Sequence, residues 1–286
     1  HLARRISARP QRRPARRGRV RRGLTPAIPG SAHTEQMPTY LTEGVILRRV
    51  DYGEADRILT VLTREHGKIG VIARGVRKAG SRLAAHTDLF ARSRMQLARG
   101  RGELDVLTQA ETVGSTVPLA DARRAACAAV CAELADRVLE SNHPDEETFE
   151  LVVDALGDCT DASRDPRGAL VWLTRRMIDR LGYAPQLYQC ASCATELAEA
   201  SAWFSAVAGG LLCTRCATSD PGSVECSVRV IKVLRVAATG DRELYRRLRL
   251  DESSLATLEA VAERELAQHL DRQLRSLAVL RAIERR

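Results

Sequence analysis

The sequence predicts an α+β protein. A small five-stranded barrel comes first, a helical domain follows, and a four-cysteine module is set into that domain. Three observations carry this reading. Between residues 37 and 118, apolar and β-branched residues come in five short runs bounded by turn residues. Beyond Pro118 the apolar spacing changes to three and four, the helical period. Cys190 and Cys193, then Cys213 and Cys216, form two C-x2-C pairs with 19 residues between them.

Residues 1–36 precede the barrel. They hold ten arginines and one acid, Glu35, among Pro and Gly. So few apolar residues bury no core, and the segment reads as a disordered extension. The chain begins with His, and Met37 opens a segment that at once reads as a strand. The plainest reading is an over-extended start with Met37 as initiator; a basic nucleic-acid-binding arm and a targeting peptide are the alternatives.

The barrel spans 37–118. LTEGVILRRV, DRILTVLTRE and GKIGVIARGV are its first three strands, joined at Asp51–Glu54 and by a tight His66-Gly67-Lys68 turn. A polar loop through Arg77, Lys78 and Arg82 leads to LFARSRMQLARG and ELDVLTQAETV. Five strands in so short a span suit the OB-fold, and the bare count also fits an SH3-like barrel.

The helical domain spans 119–286. Cys127, Val130, Cys131, Leu134 and Val138 mark a helix over 119–141, with both cysteines as buried small hydrophobes. Pro144 starts a second helix through Phe149, Val152 and Leu156, and Asp165-Pro166 caps a third that ends at Gly182. After the cysteine module a helix runs from Val228 to Gly240. One last helix opens at Ser253 or Ser254 and carries Leu255, Leu258, Val261, Leu266, Leu270, Leu274, Leu277 and Ile283.

Two C-x2-C turns offer four thiolates to one ion, the closed tetrahedral set of a structural Zn²⁺ site. A redox dithiol needs only one such pair, and disulfides need an oxidising compartment that no signal peptide indicates. The module spans 187–219, and Gly209-Gly210 supplies backbone freedom just before the second pair. With all four positions filled by protein, the metal holds the fold and does no chemistry.

The 286 residues carry a net charge of +9, but residues 1–36 account for all of it. Residues 37–118 hold 13 basic and 9 acidic side chains, and 119–286 hold 22 and 26. The body is therefore dipolar, with a basic front. The sequence carries no phosphate loop, no G-x-S-x-G elbow and no H-E-x-x-H, and no run long enough to span a membrane. His66, His86, His143 and His269 are scattered, and Glu54 with Asp56 reads as turn stabilisation. This is a binding protein rather than an enzyme. Arg48, Arg49, Lys68, Arg74, Arg77, Lys78, Arg82, Arg92 and Arg94 lie on barrel strands or loops and are the candidate DNA contacts. Tyr40, Tyr52 and Phe90 are the only barrel aromatics, so binding should be electrostatic and sequence-tolerant.

YLTEGVILRRVDYGEADRILTVLTREHGKIGVIARGVRKAGSRLAAHTDLF resembles the opening of the bacterial DNA repair family RecO. LGYAPQLYQCASC followed by FSAVAGGLLCTRC resembles its zinc-bearing stretch, and the likeness covers about residues 38–285. It implies an OB domain, a helical domain with an inserted zinc module, and a cytoplasmic recombination mediator of the RecF pathway. Such proteins bind single- and double-stranded DNA and anneal complementary strands. With RecR they help RecA displace the single-strand-binding protein SSB, whose acidic tail docks in the helical domain. Carried onto this chain, DNA would meet Arg74, Arg77, Lys78, Arg82 and Lys68. Arg175, Arg176 and Arg180 are the candidate rim for the tail. A zinc-containing structural adaptor with incidental DNA binding is the competing reading, and a metal-dependent nuclease the third.

Overall fold

The computed structural model describes residues 38–285 apart from 115, 116, 119, 198, 199 and 271. The Arg-rich segment 1–36 and Met37 lie outside the described residues, so the expectations for them stand as stated.

Five strands close the barrel: β1 (Thr39–Tyr52), β2 (Asp56–Thr63), β3 (Gly67–Ala73), β4 (Arg92–Ala98) and β5 (Leu104–Thr112). Their order is β1-β2-β3-β5-β4, with β4 returning to β1 and β3 parallel to β5. This closed path is the OB arrangement. A 14-residue β1 makes closure possible, because its first half pairs with β4 and its second half with β2. Gly44 sits where both partners meet β1. A Cβ there would lie 2.6 Å from Val61 Cγ1, closer than any ordinary contact. Strict alternation in β3 sends Ile69, Val71 and Ala73 inward beside Leu59, Val61, Met95 and Leu97.

The helices are α1 (Ala122–Val138), α2 (Glu146–Thr160), α3 (Pro166–Arg180), α4 (Thr214–Ala217), α5 (Val228–Thr239), α6 (Arg242–Arg247), α7 (Glu252–His269) and α8 (Arg275–Glu284). Asp121, Asp145, Asp165, Ser227, Asp241 and Asp251 each accept a backbone N–H of the following first turn, which fixes six of these starts. Cys127, Cys131 and Cys159 are fully buried among them, in the small-hydrophobe role their helical spacing gives them.

The single last helix expected from Ser253 to beyond Ile283 is instead two, broken at Leu270–Leu274. No Pro or Gly marks the break. Glu133 of α1 makes it, accepting the backbone N–H groups of Arg275 and Ser276 at 3.1 and 2.8 Å and the Ser276 hydroxyl at 2.7 Å. Leu274, the residue at the cap position, has no side-chain bond of its own. A carboxylate from another helix thus caps α8, with its charge on the positive end of the helix dipole.

The helices seal one side of the barrel. Val45, Leu47, Leu62 and Phe90 belong to the same apolar core as Cys127, Phe149 and Val152. Backbone contact adds to the seam: Asn142 N–H donates to Lys68 C=O at 2.9 Å. Gly67, at φ 67°, leaves room for it, since a Cβ would stand 2.2 Å from His143 O.

Candidate metal centre and nucleic-acid interface

The four cysteines of the two C-x2-C pairs converge. Their sulfurs all lie within 4.8 Å of one another, and Cys193 Sγ is 3.9 Å from Cys213 Sγ. Zn–S bonds of about 2.3 Å in a tetrahedron would space sulfurs by about 3.8 Å, so the set fits a single ion. Among the described residues no other group of three or more metal-ligating side chains does this.

Local backbone chemistry builds the site. In the first knuckle Ala194 N–H returns to Cys190 C=O and Cys190 N–H meets Thr195 C=O, both at 2.8 Å, with Ala194 at φ 58°. The second pair begins at the cap of α4, where Cys213 N–H approaches Cys190 Sγ at 3.4 Å. A small sheet holds the two together: β6 (Ala202–Ser205), β7 (Gly210–Leu212) and β8 (Val224–Cys226), in the order β7-β6-β8. Ala191 N–H docks on Leu211 C=O, and Gln186 bonds Gly209 and Leu211. Gly210 is required by that approach, because a Cβ would lie 2.3 Å from Gln186 O. Cys226 is buried in the sheet's core and points at Val224 C=O, so it is no ligand. Phe204, Leu211 and Leu187 anchor the sheet on Trp172 and α5.

The thiols are not equivalent. The Thr195 hydroxyl, 3.2 Å away, and the Thr195 N–H bring Cys193 down to about 5. Burial opposes ionisation of Cys190, but N–H groups of Cys213, Cys193 and Ser192 outweigh it and lower its pKa. Cys216, which shares protons with Cys193 and Cys213, is raised to about 11. Arg215 stands beside the Cys193 sulfur, which raises its own pKa and sets a cation against a group that would be anionic when loaded.

The nine basic candidates fall into three sets. Lys68 and Arg48 both reach Asp136 of α1, at 3.3 and 3.0 Å, and Lys68 also bonds the Asp136 carbonyl; its side chain is only 13% exposed. Arg92 pairs with Glu43, which also lies near Arg64, itself held by Glu146 and Glu150 of α2. These three hold the barrel's own ion pairs or its seam with the helices. Arg49 and Arg77 form a second set, paired with Asp88 and Asp51. Arg74, Lys78, Arg82 and Arg94 are exposed and meet no carboxylate among the described residues.

The run 74–82 is tied to the β1–β2 turn. Gly75 N–H donates to Asp56 Oδ1 at 2.7 Å, Arg77 N–H to Ala55 C=O at 2.9 Å, and the Arg77 guanidinium to Gly53 C=O at 3.3 Å. Asp56 thus has the turn-stabilising role read from the sequence.

On α3, Arg175 is buried against Glu265 and Asp179, Arg176 pairs with Asp179, and Arg180 with Asp145 and Glu147. Their charges are spent inside the fold. Sequence reasoning passed over a cleft of about 590 Å³ lined by Arg247 and Arg249, by Arg164 and Arg246, which pair with Asp161 and Asp158, by Asp165, and by Leu250 and Leu255. The signal was present, since RRLRL at 246–250 is basic within an acidic half.

The family described as "Recombination protein O N terminal" matches residues 37–116, and "Recombination protein O C terminal" matches 119–278. The chain belongs to the RecO family. A RecO-family relative named "DNA repair protein RecO" from Roseiflexus sp. (strain RS-1) is 38% identical over 247 residues, 84% of each chain. Others of that name, from Nocardioides sp. (strain ATCC BAA-499 / JS614) and Bacillus subtilis (strain 168), are 34% and 32% identical. These two alignments cover 84% and 85% of this chain and 98% and 94% of theirs. No helix among the described residues is long and apolar enough to cross a membrane.

Proposed function

We propose that this chain is a DNA repair protein of the cytoplasm that binds single- and double-stranded DNA and anneals complementary strands without ATP. One observation carries the reading: Arg74, Lys78 and Arg82 stand exposed on a loop locked to the β1–β2 turn, with no carboxylate to neutralise them. The β1–β2 turn to which this loop is bonded is one of the OB-barrel elements where oligonucleotides bind. Arg94 is exposed elsewhere on the barrel, across from Glu43 and Glu111, while Lys68, Arg48 and Arg92 hold the barrel in place.

Two DNA strands repel through their phosphates. A protein that neutralises both backbones lowers that repulsion, and base pairing then supplies specificity and driving force. Zn²⁺ on Cys190, Cys193, Cys213 and Cys216 would supply rigidity to the β6–β8 sheet and no reaction step. With RecR, the protein would help RecA replace SSB on single strands. The acidic SSB tail would find suitable chemistry in the cleft at Arg247 and Arg249, which meet no carboxylate among the described residues, with Leu250 and Leu255 for its apolar end.

The test is annealing of complementary oligonucleotides, bare and SSB-coated, without nucleotide. Full chain should accelerate it, and Arg74→Gln/Lys78→Gln/Arg82→Gln should lose most of the acceleration. Wild type with no effect on annealing favours the adaptor reading. A labelled SSB tail peptide should lose affinity for Arg247→Glu/Arg249→Glu and keep it for Arg180→Glu; the reverse moves the tail to α3.

A further inference from the structure

We propose that Tyr52 is a base-stacking platform, so that the barrel grips single strands by one ring as well as by charge. The inference rests on the nucleic-acid reading above and adds to it a contact with an unpaired base.

The three barrel aromatics differ sharply in what they offer. Phe90 is 5% exposed and belongs to the core. Tyr40 is committed: its hydroxyl donates to Asp105, Arg99 lies over its ring at 4.2 Å, and His66 meets its edge at 4.6 Å. Tyr52 is 56% exposed at the end of β1, and among the described residues its side chain has no hydrogen bond, ring contact or cation over its face. An open ring on the turn to which a cationic loop is bonded suits a ligand that is both flat and anionic.

The surroundings supply the anion sites. Tyr52 pairs with Asp56 across the turn, and Asp56 holds the N–H of Gly75, between Arg74 and Lys78. The acids of this turn do not cancel those charges. Asp51 is met by Arg57 and Arg77, both at 3.3 Å, and Asp56 is used by the backbone. Glu54 alone is exposed with no cation against it, so Arg74, Lys78 and Arg82 leave the patch positive. Because the loop is bonded to the turn at Gly53, Ala55 and Asp56, its backbone keeps a fixed place beside the strand end that carries Tyr52. A ring face takes any base, whereas a duplex keeps its bases stacked on one another. Tyr52 therefore separates single from double strands, while the cations serve both.

The test compares wild type with Tyr52→Ala and Tyr52→Phe in the full chain, on one labelled oligonucleotide, single- and double-stranded. Tyr52→Ala should weaken single-strand binding by roughly 5- to 100-fold, leave duplex binding within twofold, and abolish quenching of a 2-aminopurine base that wild type quenches. Tyr52→Phe should behave as wild type. Tyr52→Trp should show its added fluorescence quenched by oligo(dT). Equal losses on both forms, or quenching that survives Tyr52→Ala, overturns the platform while leaving the charge reading intact. Wild type that binds neither form ends both.

Discussion

Salt dependence separates cations that touch phosphate from those that hold the fold. Each phosphate contact on a single strand contributes about −0.7 to the slope of log affinity against log salt. Arg74, Lys78 and Arg82 are the loop cations with no carboxylate partner among the described residues, which gives a slope of about −2 from this surface. Arg74→Gln/Lys78→Gln/Arg82→Gln should flatten it by about 2 units on single strands and nearly 3 on duplex. Lys68→Gln is the control. Its ammonium is 3.3 Å from Asp136 and bonded to the Asp136 carbonyl, so its loss should cost about 1–3 kcal/mol of stability with the slope unchanged. Anisotropy of a labelled oligonucleotide between about 50 and 200 mM salt gives the slopes, and thermal unfolding gives the cost. A triple variant with wild-type slope, or a Lys68→Gln slope as flat as the triple's, would refute the division of the nine cations.

Other outcomes follow from the same geometry. Cys193→Ser should lose bound metal, measured by chelator colorimetry, and loosen Trp203 on β6, while barrel binding of oligonucleotides persists. Because each thiolate gives up the ion when it takes up a proton, bound metal should be lost progressively as pH falls; metal content independent of pH would contradict a thiolate site. Glu133→Ala should remove the cap of α8 and cost about 1–2 kcal/mol, seen as a lower Tm. Burial alone would raise the Glu133 pKa, but the bonds from Ser276 and Arg275 hold it below the ordinary 4.5. Its stabilisation is therefore full above about that pH and is lost as pH falls through the lowered value, an acid dependence that Glu133→Gln should abolish. Gly67→Ala should force β3 away from His143 and lower Tm; an unchanged Tm would mean the seam yields freely.

Much of this was legible in the chain. Alternation in β3 and turn residues at Gly67 marked the strands because one face of each is buried and the other is not. The two C-x2-C pairs marked the four-cysteine cluster because each knuckle is local. Asp165-Pro166 marked the start of α3, since a cap is made within four residues, whereas the caps Asp145 and Asp251 lie one and two residues from the Pro144 and Ser253 starts read from the sequence. The short strands β6–β8 were missed; at three or four residues they hold too little period to read. So was α6, a helix of six residues.

Local patterns of residues thus determined which segments are strands, helices and knuckles, and the bonds that define them span a few positions. Tertiary structure alone decided which charges are available. Lys68 looked as free as Lys78, yet Asp136 arrives from 68 residues away to take it, and Glu133 breaks the last helix from more than 140 residues upstream. A charge's partner is chosen by distance in space, and that distance exists only once the barrel and the helices have packed.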